Sequence, residues 1–222
     1  MTQLAAGKGV IALRFGHDAA KRGLDITVSL ALIILLAPLL VVLIALVRFT
    51  SAGPALFSQE RLGRDRRRFT MLKLRTMYVN RDDRLHREYV ASLLSADREA
   101  DRSPGNGLYK LDDPRVTSLG AWLRRTSLDE IPQLINVLRG EMSLVGPRPV
   151  LPWEAEMFAE THQRRFAVKP GITGLWQVSG RNRLTMREAL ELDVEYVVRR
   201  SLVLDLAILF RTVPAVLRGG TR

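Results

Sequence analysis

Asp129 and Glu130 stand side by side in Ser127-Leu128-Asp129-Glu130. A carboxylate in such a pair can bind a divalent metal or attack phosphorus. The same four residues match the S-x-x-E capping box of a helix start, and on spacing alone that cap is the plainer reading. The two readings are compatible, because a helix N-terminus also receives anions. Nearby Arg124 and Arg125 would favour an ionised carboxylate there. A second constellation is Gly146-Pro147-Arg148-Pro149, in which two prolines fix the backbone around one guanidinium before any ligand arrives. Its plainer alternative is an extended loop with a solvated arginine. Gly180-Arg181-Asn182-Arg183 offers two more planar forks to a phosphate. Finally, the stretch from Arg61 to Arg75 holds seven basic residues and one acid. Its simplest job is attraction to anionic headgroups, worth about 1 kcal/mol per residue.

Other chemistries are missing from the sequence. It has no G-x-x-x-x-G-K-[ST] loop, no G-x-G-x-x-G, no H-E-x-x-H and no G-x-S-x-G. His17, His86 and His162 are isolated and read as surface residues. With no cysteine, disulfides, thiolate nucleophiles, Fe–S clusters and Cys-ligated zinc are excluded, and the redox compartment stays open. An enzyme built from this chain works with carboxylates and arginines. The net charge of +11 over 222 residues calls for an anionic partner: nucleic acid, an anionic membrane or a phosphorylated substrate. Of the 34 basic residues 29 are arginine, the better fit to phosphate oxygens, although codon bias gives the same composition.

The elements that must carry these residues begin with a membrane segment. Ile26 to Val47 is an uncharged run of 22 residues, about 33 Å as a helix and enough to cross a hydrocarbon core. It is too long for a signal peptide, and no small-residue cleavage site follows it before the charged stretch. Pro38 divides it into pieces too short to cross alone. Both flanks are basic, with Lys8, Arg14, Lys21 and Arg22 before it and Arg48, Arg61, Arg64, Arg66, Arg67 and Arg68 after it. A spanning helix has its Lys/Arg excess on one side, so this pattern fits a helix that enters, bends at Pro38 and returns.

Residues 1–20 read as a loose or interfacial lead-in. Ala55–Phe57 and Phe69–Leu74 read as a small hairpin, and 79–107 as a solvated helix followed by a loop. Leu119–Arg125 and Leu128–Arg139 have helical spacing, Val145–Pro152 is extended, and Pro170–Gly180 is a turn plus a strand. Thr185–Arg200 is an amphipathic helix with Glu195 and Arg199 at i,i+4. The segment 201–217, apolar but interrupted by Asp205, Arg211 and Pro214, reads as a helix lying on the membrane or the core.

Taken together, these blocks resemble the bacterial sugar transferases of the monotopic polyprenyl-phosphate phosphoglycosyl transferase type. The resemblance runs from about Lys21 to Leu217. It is carried by KRGLD (21–25), the proline-broken apolar helix, FSQERLG (57–63), FTMLKLRTM (69–77), the long block 112–152, KPGITGLWQVSGRN (169–182) and LDVEYVVRRSLVLDLAILFRT (192–212). It implies a mainly helical α+β fold. A re-entrant membrane helix over 21–48, bent at Pro38, would anchor a cytoplasmic catalytic domain over 49–222 with a small β element and amphipathic interfacial helices. The implied activity moves a sugar-1-phosphate from a UDP-sugar to polyprenyl phosphate at the bacterial inner membrane, releasing UMP, with Mg²⁺ required. Asp129 would be the nucleophile and a metal ligand, and Glu130 would assist the acceptor. Arg148 and Arg181 would bind substrate phosphates, with Lys73, Arg75 and Asp193 in other shared motifs at the substrate site.

The departures are Ala37 where Ser often precedes the bending proline, and Arg67 where Gly is common. Only about 20 residues precede KRGLD, so the larger N-terminal membrane region of some relatives is expected to be absent. The resemblance leaves open the sugar, its pathway and the oligomeric state. The alternative is a non-enzymatic, basic, membrane-tethered binding protein. Nucleic acid is not the expected partner, since only 6% of residues are aromatic and no nucleic-acid motif appears.

Overall fold

The computed structural model describes residues 2–79, 84–95, 113–180 and 184–217. Helix α1 (Thr2–Thr50) takes in residues 2–20, where a loose or interfacial lead-in was expected, as well as the apolar run, and its helical conformation continues through Pro38. Its segment Asp18–Thr50 is long and apolar enough to cross a bilayer. Ile34, Leu35 and Val41 are each about two-thirds exposed (68, 72 and 66%).

Both ends of that segment are docked on the rest of the chain. At the start, Lys21 pairs with Asp205 at 2.6 Å. Arg22 donates to the carbonyls of Val137 and Leu138 at 2.6 and 2.7 Å, capping the end of α4 (Gln133–Arg139) with a cation. Asp25 accepts from Ser143 Oγ and the Leu144 N–H. At the far end, Leu43 and Val47 are buried against Leu74 and Leu123.

After α1, strands β1 (Leu56–Leu62) and β2 (Arg68–Leu74) form the expected hairpin, longer than the sequence marked, in antiparallel register from Leu56↔Leu74 to Leu62↔Arg68. Its tight turn places Asp65 and Arg66 at positive φ. The second sheet pairs β3 (Ser143–Val145) in parallel with β4 (Gly171–Thr173). Asn136 of α4 stitches the helix to β2, accepting from the Leu72 N–H and donating to the Thr70 carbonyl. Helix α3 (Ser118–Thr126) is capped by Thr117. It sits so close to β2's continuation that a Cβ on Gly120 would lie 2.0 Å from the Thr76 carbonyl oxygen, which explains a glycine there.

Elsewhere α2 (Arg84–Ser95), the short α5 (Pro152–Glu156) and α7 (Met186–Arg199) pack around Val90, Phe158, Phe166 and Trp176. Helix α8 (Leu202–Leu217) runs on through Pro214 and buries Asp205 and Ile208 while exposing Val203, Phe210 and Val213.

The mainly helical α+β expectation holds, with corrections. Helix α2 is not simply solvated: Val90 and Leu93, one turn apart, are buried in the core. The loop expected after it lies outside the described residues. The segment 128–139 divides at Pro132 into a 3-10 turn (Leu128–Glu130) and α4. After β4 the chain forms a short helix, α6 (Leu175–Ser179), where a strand was expected.

Candidate active site

Ser127 closes α3 in the left-handed conformation (φ 57°), and its side chain makes no capping hydrogen bond to the turn that follows. The capping box expected from S-x-x-E is therefore absent. The sharp reversal out of α3 needs this backbone conformation and overrides the local signature. The reversal sets Leu128–Glu130 into a single 3-10 turn, with Asp129 only 7% exposed and Glu130 nearer the surface.

Three elements bring charge to that turn. Lys73 comes from β2, Arg124 from α3 and Arg148 from the loop after β3, and all three act electrostatically on Asp129. Burial pushes the Asp129 carboxyl above the usual carboxylate range, and the three cations, Lys73 foremost, pull it back. Lys73 is itself lowered to about 8, by burial first and then by Arg61 and Arg124. Arg124 is aimed by its Nε donating to Thr76 Oγ1 at 2.9 Å. Arg148 Nη1 approaches Glu130 Oε1 at 3.7 Å. Among the described residues no ion pair closes on Asp129 itself, so its carboxylate faces several cations and is matched to none.

The loop that carries Arg148 is held on both sides. The Gly146 N–H donates to Thr173 O, and the Gly171 N–H donates to Pro147 O. A Cβ on Gly171 would meet the Gly146 nitrogen at 2.1 Å, so this crossing requires glycine. On the other side the Leu62 N–H donates to Val150 O at 2.9 Å. Arg165 Nη2 donates to the Arg148 carbonyl at 2.7 Å and to Asp193 Oδ2 at 2.5 Å, with both side chains of that pair 3% exposed. Asp193 is raised to about 6 by burial, against the pull of Arg165. It therefore reaches the site through Arg165 and the Arg148 backbone.

Of the expected site residues, the structure gathers Asp129, Glu130, Lys73 and Arg148, with Asp193 behind them. Arg75 lies elsewhere: it is buried against the end of α1, with Nη2 donating to Ser51 O and Oγ at 2.7 and 2.9 Å. Arg181 lies outside the described residues. Sequence reasoning did not single out Arg165. A buried Asp193 demands a buried cation, but nothing local says which of 29 arginines supplies it.

No group of three or more His, Asp or Glu that could hold a metal occurs among the described residues. Mg²⁺ typically takes one or two carboxylates and completes its shell with water and substrate phosphates. Asp129 and Glu130 fit that mode.

The sequence profile described as "Bacterial sugar transferase" matches residues 16–219. The chain is 46% identical over 217 residues to the UDP-galactose-lipid carrier transferase of Erwinia amylovora, covering 94% of this chain and 44% of that protein. It is 41% identical over 198 residues to the exopolysaccharide production protein ExoY of Sinorhizobium fredii, covering 89% of this chain and 85% of ExoY. Against the undecaprenyl-phosphate galactose phosphotransferase of Salmonella typhimurium it is 40% identical, over 94% of this chain and 44% of the relative. The chain thus spans less than half of some relatives and most of another.

Proposed function

Because the chain belongs to the bacterial sugar transferase family, we propose that it transfers a sugar-1-phosphate from a UDP-sugar to polyprenyl phosphate. The products are polyprenyl-diphosphate-sugar and UMP, the first membrane step of an exopolysaccharide or related glycan. The observation that carries this reading is the buried Asp129 carboxylate, surrounded by Lys73, Arg124 and Arg148 and paired with none of them.

Phosphoryl transfer needs alignment and charge neutralisation, and a preorganised cationic pocket supplies both. The Asp129 oxygen attacks the sugar-bearing phosphorus of the UDP-sugar, and the bond from that phosphorus to the bridging oxygen breaks, releasing UMP. An oxygen of the polyprenyl phosphate then attacks the same phosphorus, and the Asp129 carboxylate leaves as it arrived. Arg148 holds a donor phosphate in a position set by the Gly146–Gly171 crossing and by Arg165. Arg181 adds a second guanidinium, Lys73 neutralises charge on the transferred group, and Glu130 orients the acceptor. Mg²⁺, held by Asp129 with help from Glu130, would neutralise charge on the phosphate oxygens.

The apolar helix supports a re-entrant anchor in the cytoplasmic membrane, with the catalytic domain on the cytoplasmic side where nucleotide sugars are. Lys21–Asp25 and Leu43–Val47, at opposite ends of the run, dock on the same body, while the residues between are exposed. The non-enzymatic alternative gives no account of a carboxylate buried inside the cationic cluster, since it would weaken the binding of any anion.

The purified full chain with Mg²⁺, undecaprenyl phosphate and either UDP-galactose or UDP-glucose should release UMP. Asp129→Asn should lower the rate by roughly 10³-fold or more, as expected for loss of a covalent nucleophile. Full turnover by that variant would overturn the assignment. For topology, single cysteines at residues 15 and 80 should be labelled from the same side of the membrane. Labelling from opposite sides means a spanning helix.

A further inference from the structure

A second cationic site lies at the start of the apolar run. A cavity of about 120 Å³ opens between α1, the β1–β2 turn, β3, the Val168–Lys169 segment and the α7–α8 junction. That is well beyond the roughly 10–15 Å³ that holds one water. Five cations line it, Lys21, Arg22, Arg64, Lys169 and Arg200, against Asp18 and Asp25.

Lys21 is paired with Asp205, and Arg22 is engaged with the α4 carbonyls. Among the described residues, the Arg64 side chain has only a 3.6 Å approach to its exposed neighbour Asp65. Among the described residues, no hydrogen bond or ion pair holds the side chains of Lys169 and Arg200. Lys169 Nζ and Arg22 Nη2 converge over Gly140, 3.4 and 3.5 Å from where its Cβ would sit. Burial first, then Arg22 and Arg64, hold Lys169 below the ordinary lysine range. Gathering like charges in a half-buried place is costly, and an anion between them would offset the cost.

The surroundings say which anion. Lys21–Asp25 immediately precede Ile26, where the apolar run begins, and Arg200 precedes α8, which exposes Val203, Phe210 and Val213. The cavity therefore lies where two exposed apolar surfaces start. Basic pockets beside membrane helices take anionic headgroups in this way. The cations that act on Asp129, namely Lys73, Arg124 and Arg148, do not line it. We propose that this cavity binds the headgroup phosphate of an anionic membrane phospholipid, its acyl chains lying along α1 and α8, at a place separate from the Asp129 site.

The proposal rests on membrane embedding, which flotation of the full chain with vesicles tests by itself. The direct test is native mass spectrometry of the full chain in detergent doped with phosphatidylglycerol or phosphatidylcholine. Wild type should retain one phosphatidylglycerol molecule. The Lys169→Gln/Arg200→Gln variant should retain about tenfold less, with phosphatidylcholine adducts unchanged and the melting temperature kept. Arg64→Gln, at an exposed turn, should give a smaller loss and serves if the double variant does not fold. Unchanged retention in the variants would overturn the site. So would displacement of the lipid by millimolar inorganic phosphate, which would mean a free-anion site. Displacement by an equimolar amount of polyprenyl phosphate would mean that the acceptor owns the cavity. A chain that floats and releases UMP but retains no phosphatidylglycerol would sink this inference alone.

Discussion

Two buried aspartates, Asp129 and Asp193, sit on either side of the Arg148 loop and are wired in opposite ways. Asp193 is closed on one partner: Arg165 reaches it at 2.5 Å, both groups are buried, and the same guanidinium holds the Arg148 carbonyl. Asp129 has three cations around it and an ion pair with none. A closed pair has no charge left to offer a ligand, and its effect is on position. An open cluster with more positive than negative charge is stable only as a compromise, and it suits an incoming diphosphate. The same distinction separates Lys21, closed on Asp205, from Lys169 in the headgroup cavity. In a chain with 29 arginines, whether a cation is matched says more than whether it is present.

The sharpest way to break this comparison is to remove one oxygen's charge from each aspartate. Asp129→Asn should cost roughly 10³-fold or more in turnover, about 4 kcal/mol in barrier. Its melting temperature should equal or exceed wild type's at neutral pH. The sign follows from burial: the folded carboxyl titrates above its unfolded value, so the ionised form loses stability as pH rises through that window. Burial raises Asp193 as well, yet Asp193→Asn should cost stability, because this carboxylate, unlike that of Asp129, is closed in a direct buried pair. The substitution leaves Arg165 buried without its counter-charge, a loss of about 3–5 kcal/mol in chemical denaturation. If Asp129→Asn unfolds the protein while Asp193→Asn does not, the two roles have been exchanged.

How much of this was legible beforehand follows from range. The hairpin, the proline-stiffened Arg148 loop and the amphipathic helix from Thr185 were readable because their signals are local; the structure adds that this helix, α7, starts on a Thr185–Glu188 capping box with both reciprocal hydrogen bonds. Ser127-Leu128-Asp129-Glu130 carries an equally clean local signal, yet the turn between α3 and α4 puts Ser127 at positive φ instead. Arg75, inside the same shared block as Lys73, was equally ambiguous. One residue sits among the charges around Asp129, while the other, two positions on, holds the end of α1. The Asp193–Arg165 pair spans 28 residues and has no periodic signature at all. Residue types marked the chemistry, but which charges close on each other is a tertiary fact.

Arg148→Lys and Arg165→Lys test whether position and charge are separable. At Arg148 the lysine keeps the charge but loses the planar fork, so kcat/KM should fall about 10–100-fold with little change in stability. At Arg165 one ammonium cannot serve both Asp193 and the Arg148 carbonyl in the same geometry. Stability should drop, and kcat/KM should fall less than at Arg148, through a loop that is looser but still charged. Equal kinetic losses with equal stability would mean that Arg165 also contacts substrate, which would collapse the distinction between the open and closed sites.

The smallest effect belongs to pH, and it probes the open cluster alone. As the proposed nucleophile Asp129 must be ionised, and burial raises that carboxyl, so the acid limb of kcat/KM should lie above the ordinary carboxylate range. Lys73, lowered to about 8, loses its proton above that pH and with it the foremost cation acting on Asp129. A second limb should therefore fall near pH 8, a decline of a few-fold, since Arg124 and Arg148 stay charged. Lys73→Arg keeps a cation that does not titrate in this range, so it should flatten the alkaline limb and leave the acid limb in place. Asp193, raised to about 6, titrates on the acid side and acts through Arg165 on the Arg148 backbone, so Asp193→Asn should leave the alkaline limb in place and remove any inflection near pH 6. An alkaline limb that persists in Lys73→Arg would show that another group, not this lysine, sets the charge on the open side of the comparison.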